Sequence, residues 1–298
     1  MAYTKLIPRS TPGAQVEEIS HNSTHYRLTI PSGKADRYRL AQLDDYTLLS
    51  RRQFPHRFNL PLSSLRMSLS ARTSSDSLPG TWGFGLWNDP FGLSLGFGGS
   101  PFRLPALPNA VWFFGASEEN YLSFRAPENS SGLRERRSKT AVEALLPNGG
   151  ASSSLRSAPP SGTSQREIPA NGFLAQTFRS PKFHPLLIPA GLALPFSRKT
   201  TRRMLGRVIE EDGVALSVEP SQWHGYRLEW RENRVSFEVD DVPVFESQVS
   251  PNPPLGLVIW IDNQYAAFTP EGRIGFGVLE NPEPAWLEIK DLEIKNRP

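Results

Sequence analysis

Apolar and polar residues alternate with a period of two along much of the chain. In RVSFEVD (234–240), Val235, Phe237 and Val239 fall on one face and Ser236, Glu238 and Asp240 on the other. In HGYRLEW (224–230), Tyr226, Leu228 and Trp230 face away from Arg227 and Glu229. Strands of this kind belong to antiparallel sheets with one solvated side. LGLVIWID (255–262) is apolar on both faces and predicts a strand buried between layers. Further strands are predicted over 25–30, 38–43, 65–72, 80–87, 109–116, 120–125 and 172–179, and then over 242–247, 272–279 and 285–294. Asp240-Asp241 sits between two of these runs, where a tight hairpin turn belongs.

A helical period shows in only one place. In PFSRKTTRRMLGRVIEED (195–212), Phe196, Met204, Leu205, Val208 and Ile209 mark a stripe, and Ser197 is placed as an N-cap. Its charges run basic first and acidic last, against the helix dipole, so packing rather than local electrostatics must hold it. The basic positions read as the solvated face of a peripheral helix.

The 28 prolines and 23 glycines that punctuate these runs reinforce the reading of short strands. The fold class is therefore all-β, a two-sheet antiparallel sandwich with one peripheral helix. Residues 126–170 break the pattern: the segment holds no aromatic residue and nine serines, and it cannot bury a core. It is expected to be a disordered insertion interrupting a single domain that spans 1–298.

Composition removes several classes of chemistry. There is no cysteine, which excludes disulfides, thiolate metal sites and thiol catalysis. The five histidines show no metal-ligand spacing, so neither a metal nor another cofactor is expected. The 33 basic residues nearly balance the 30 acidic ones, and no run of bases interleaves with aromatics, so nucleic acid is not an expected partner. No window is apolar enough to span a membrane and no leader is visible, which reads as a soluble, cytoplasmic chain.

Three stretches resemble the concanavalin A-like lectin/glucanase superfamily, and within it the laminarinase-like glycoside hydrolases of family sixteen. They are WHGYRLEWRENRVSFEVDDVPVF (223–245), PPLGLVIWIDNQ (253–264) and the closing WLEIKDLEI (286–294). GTWGFGLWND (80–89) is similar to the family's G-x-W-P-A-F-W-L strand. The resemblance implies a jelly roll with a sugar-sized cleft on its concave face. It also implies a strand bearing E-x-D-x-E, whose period of two aims catalytic carboxylates at one face. The corresponding strand here, NAVWFFGAS (109–117), holds no acid at all.

The remaining candidates for hydrolysis are Asp262, Glu118 and Glu119. For binding a glycan or another small molecule, the candidates are Trp87, Asn88, Asp89, Trp112, Trp260, Asp262 and Gln264. Trp260, Asp262 and Gln264 share a face if the alternation continues, and would offer an indole, a carboxylate and an amide to a sugar ring. In GTWGFGLW, Trp82, Phe84 and Leu86 project to one face, while Gly83, Gly85 and Trp87 lie on the other. Glycines remove side chains from that second face, as a sheet does where a ligand or another group comes close. Three readings follow: a carbohydrate-binding module, a hydrolase with relocated carboxylates, and a binder or enzyme of an apolar small molecule.

Overall fold

The computed structural model describes residues 6–20, 24–45, 64–89, 107–124, 170–181, 185–186 and 196–297. In chain order the strands are β1 (Ile7–Ser10), β2 (Gln15–Ser20), β3 (His25–Ile30), β4 (Leu40–Asp44), β5 (Ser64–Thr73), β6 (Thr81–Trp87), β7 (Ala110–Ala116) and β8 (Gly172–Arg179). After the helix α1 (Arg198–Val208) come β9 (Glu210–Ala215), β10 (His224–Arg231), β11 (Arg234–Val239), β12 (Val242–Ser247), β13 (Gly256–Asp262), β14 (Gln264–Phe268), β15 (Ile274–Val278) and β16 (Ala285–Arg297).

These strands form two seven-stranded antiparallel sheets, the all-β sandwich that the alternation predicts and the jelly roll that the resemblance implies, with one helix among the described residues. The front sheet runs β1-β4-β13-β6-β7-β8-β9 and the back sheet β12-β11-β10-β5-β16-β3-β2; β14 and β15 form a separate ribbon. The inner faces meet in one apolar core. Tyr226 of the back sheet lies edge-on to Phe84 and Phe113 of the front sheet at 5.1 and 5.0 Å between ring centroids. Phe113 in turn meets Phe237 at 5.2 Å and near a right angle. Edge-to-face pairs of this sort add about 0.5–1.5 kcal/mol each beyond the area they bury.

The back-sheet strands keep their polar residues outside. β5 alternates half-buried and buried positions along its whole length, with Leu65, Met67, Leu69 and Ala71 inward and Arg66, Ser68, Ser70 and Arg72 outward. The front-sheet strands β7 and β13 are buried almost throughout, because both of their faces are covered. The outermost strands carry residues that discourage pairing: β1 contains Pro8, β12 contains Pro243, β2 exposes Glu17 and Glu18, and β9 opens on Glu210, Glu211 and Asp212.

The hairpin between β11 and β12 turns through Asp240 and Asp241, both at positive φ (51° and 63°), the conformation of a type I′ turn. The strands β1, β2 and β14 have no counterpart in the sequence pattern, β4 starts two residues later than expected, and two further segments depart from it. The segment 120–124 is not a strand: Tyr121 makes only an isolated bridge to Ala267, and Phe124 N–H is taken by the Glu211 carboxylate instead of a ladder. The helix ends at Val208 because Ile209 turns extended (φ −90°, ψ 114°), and the acidic run that reads as its end is the edge strand β9 paired with β8. Ser197 caps it as expected, accepting from Thr200 N–H. Apart from Ala170, the segment 126–170 lies outside the described residues, as does the Gly-rich continuation over 90–106.

Candidate functional site

The two faces of β6 separate cleanly. Trp82, Phe84 and Leu86 join the inter-sheet core, while Gly83, Gly85 and Trp87 look outward from the front sheet. The register with β7 and β13 sets Gly85 between Trp112 and Val258, and Gly83 between Phe114 and Trp260. Two indoles therefore flank the glycines. A Cβ at Gly83 would come within 2.9 Å of the Trp260 ring, and one at Gly85 within 2.5 Å of Trp112 Cβ. The glycines are there because the β7 backbone comes first into that space, with Phe113 O and Val111 O at 2.4 Å from the added Cβ atoms, and the Trp260 ring also lies over Gly83.

The result is a triangle of indoles. Trp87 meets Trp112 at 5.7 Å and runs nearly parallel to Trp260 (8°) at 6.4 Å, while Trp112 and Trp260 are 5.5 Å apart. Phe114 stacks on Trp112 at 5.2 Å, and Phe178 closes its far side edge-on. Tyr38, Leu122, Phe124 and Leu205 pack against this cluster. Trp112 and Trp260 keep only 9% and 8% of their surface exposed, whereas Trp87 is half-buried.

The polar groups at this face are unequally satisfied. Trp260 Nε1 donates to Thr81 Oγ1 at 3.0 Å, and Trp112 Nε1 reaches Gln176 Oε1 at 3.4 Å. Trp87 Nε1 and Gln176 Nε2 are both withdrawn from solvent and have no acceptor among the described residues. Leaving such a donor unpaired costs about 1–3 kcal/mol, so each calls for an explanation. Gln176 escapes the sequence reading because it stands alone in the apolar run GFLAQTFR (172–179). A fully buried amide inside such a run is the signal that points to it.

Asp262 is fully engaged. Its Oδ1 accepts from Thr81 N–H, Thr81 Oγ1 and Gln264 N–H, and its Oδ2 from Tyr38 O–H. Burial pushes its pKa up to about 6, against the pull of those donors. Burial likewise raises Tyr38, with the negative Asp262 beside it adding to the shift. Trp260 and Asp262 do share a face, but Gln264 does not continue it. The strand ends at Asp262, and Gln264 starts the ribbon strand β14, paired with Val278.

Asn88 and Asp89 anchor the end of β6 rather than open outward. Asn88 exchanges backbone and side-chain hydrogen bonds with Leu107 and Asn109, and Asp89 is buried at a φ of 45°. Glu118 and Glu119 stand exposed in the turn that follows β7.

Asp262, Asp44 and Glu211, three carboxylates of the front sheet, do not stand at catalytic spacing. Asp262 pairs with Leu40, four residues before Asp44, which sets the two acids about 13 Å apart along the strand direction. Glu211 lies four strands from β13, or about 19 Å. Glycoside hydrolysis uses pairs about 5–5.5 Å apart for retention and about 6.5–9.5 Å for inversion. Asp44 is moreover tied to Arg9 and Gln42, and Glu211 to Ser123 and Phe124.

No family model matches the sequence, and no curated protein matches it. Among solved structures, the chain is similar to a legume lectin-like domain from Entamoeba histolytica, at 9% identity and a TM-score of 0.44, over 98% of this chain and 90% of that one. It is similar to a family 16 endo-glucanase from Bacteroides ovatus at 9% identity and a TM-score of 0.42, over 100% of this chain and 96% of that one. An alginate lyase, AlyC3, in complex with dimannuronate aligns at 8% identity and a TM-score of 0.40, over 92% of this chain and 74% of that one.

Proposed function

We propose that the chain is a carbohydrate-binding protein that takes its ligand on the outer face of the front sheet, at Trp87. The observation that supports this is the state of that indole. It is half-buried, braced by Trp112 and Trp260, and its N–H lacks an acceptor among the described residues. A sugar ring offers such a place an apolar face to stack on the half-exposed indole. Binding without hydrolysis is the reading that fits the spacing of Asp44, Asp262 and Glu211.

Affinity electrophoresis through gels cast with neutral and acidic polysaccharides tests the proposal. The wild-type chain is expected to be retarded by at least one polysaccharide, and Trp87→Ala to lose at least tenfold in affinity, about 1.4 kcal/mol, with its far-ultraviolet spectrum and cooperative melting retained. No retardation on any gel, or retardation unchanged in Trp87→Ala, counts against it. The all-aromatic surroundings of Trp87 favour one second reading, an apolar ligand. A bound lipid or terpenoid seen by native mass spectrometry, and lost in Trp87→Ala, would replace the sugar.

A further inference from the structure

The described residues expose five large apolar side chains, and three of them gather at one corner: Phe196 (89%), Phe276 (66%) and Ile274 (46%). Phe196 immediately precedes the N-cap of α1, and Ile274 and Phe276 share one face of β15 by alternation. The other face of that strand is closed, since Gly275 and Gly277 lie beneath the ring of Tyr265. Helix and ribbon are fastened together. Arg202 donates from Nε to Phe268 O at 2.7 Å and from Nη2 to Ser123 O at 2.6 Å, with its guanidinium over Tyr121. The Gly272 turn approaches so closely that a Cβ there would meet Lys199 N at 2.7 Å.

Basic residues surround this corner. Lys199, Arg203 and Arg207 recur every four residues along α1 and form one exposed stripe, with Arg198 and Arg273 beside it. Glu271 is the acidic residue in the turn. The first turn of the helix holds no acid, so Arg198 and Lys199 sit at the positive end of the helix dipole, where cations weaken the helix. Folding gains nothing from that arrangement, while an anionic partner would gain from it.

We infer that this corner docks on an anionic lipid surface, with Phe196, Ile274 and Phe276 entering the headgroup boundary and the α1 stripe facing the lipid charges. Apolar tips ringed by bases match such a surface on both counts. Nucleic acid would satisfy the stripe but leave Ile274 in water. A second copy would bring two like-charged stripes together.

Flotation of the full chain with phosphatidylcholine vesicles, with and without phosphatidylserine, tests the inference. The chain is expected to float only with the phosphatidylserine vesicles and to be released by salt. Replacing Lys199, Arg203 and Arg207 together by Gln should weaken binding by roughly 100-fold, since each base near the surface contributes about fivefold. Ile274→Ser with Phe276→Ser should also weaken it, and the exposure of all five positions predicts an unchanged melting temperature. Failure to float with either vesicle overturns the inference, as does equal binding by the Gln variant. A concentration-dependent dimer abolished by Phe276→Ser, without vesicle binding, overturns it in favour of self-association.

Discussion

The outer faces of the two sheets are built on opposite principles. The front face stacks indoles over glycines and hides them under Tyr38, Leu122, Phe124 and Leu205. The back face carries charges and ties them to one another, some of them beneath the surface. There Glu288 takes Arg27, Arg72 and His25 together, while Trp286 lies between Arg27 and Arg72, and Trp223 between Arg72 and Lys290. One sheet thus meets solvent through its own side chains, and the other needs a cover. That cover is where the helix and the irregular segment 117–124 are used.

The largest expected consequence lies at the centre of the front cluster. Trp112→Ala removes the ring that touches Trp87, Phe114, Phe178 and Trp260 at once, and should cost about 3–5 kcal/mol in urea denaturation. A loss below about 1 kcal/mol would mean that the cluster is a loose platform rather than a second core, and the contrast between the faces would fail.

Two of the buried carboxylates, Asp262 and Glu288, should respond to pH with opposite slopes. Asp262, with no cation beside it, keeps its proton up to about pH 6 in the folded state. An unfolded Asp loses it near pH 3.9. The native state therefore holds more protons between those values, and stability should fall by about 3 kcal/mol as pH rises through them. Glu288 is the reverse case: burial raises its pKa, but Arg27, His25 and Arg72 outweigh that and hold it below the usual value. Its contribution is present above the unfolded pKa and fades as pH falls through the native one. Urea midpoints measured across pH should lose the first slope in Asp262→Asn and the second in Glu288→Gln. Matching slopes in the two variants would remove the distinction.

The smallest effect sharpens the geometry. Gly85→Ala puts a methyl group against Trp112 and should cost about 1–3 kcal/mol. Ser70→Ala, at an outer position of the back sheet, should stay within about 0.5 kcal/mol. An Ala tolerated at 85 would show that β7 has room to move away from β6 at Val111 and Trp112.

This contrast also explains what the sequence discloses. Val235, Phe237 and Val239 announce their face because the opposite residues meet water, so the back sheet and its Asp240-Asp241 turn are legible. In AVWFFGA (110–116) both faces are apolar, and alternation alone does not say which of Trp112 and Phe113 points into the sandwich. Gly83 and Gly85 do announce that another group lies close to β6, but not that the group is this chain's own β7 backbone and, over Gly83, Trp260. The acid-rich β9 reads as a helix end because Glu210 and Glu211 carry no strand signal. Glu211 becomes intelligible only once its carboxylate is seen holding Phe124 N–H. Asp262 is picked out correctly as a polar group beside Trp260, yet its four donors mark it as a fastening for Thr81, Tyr38 and Gln264.

The prolines and acids of the outermost strands bear on how this molecule behaves in a crowd. Pro8 and Pro243 each withhold an N–H from an approaching strand, and the carboxylates of β2 and β9 repel a second copy laid alongside. Templated growth of either sheet into a fibre is thereby discouraged at both of its ends, and recognition is left to the broad surfaces and the corners.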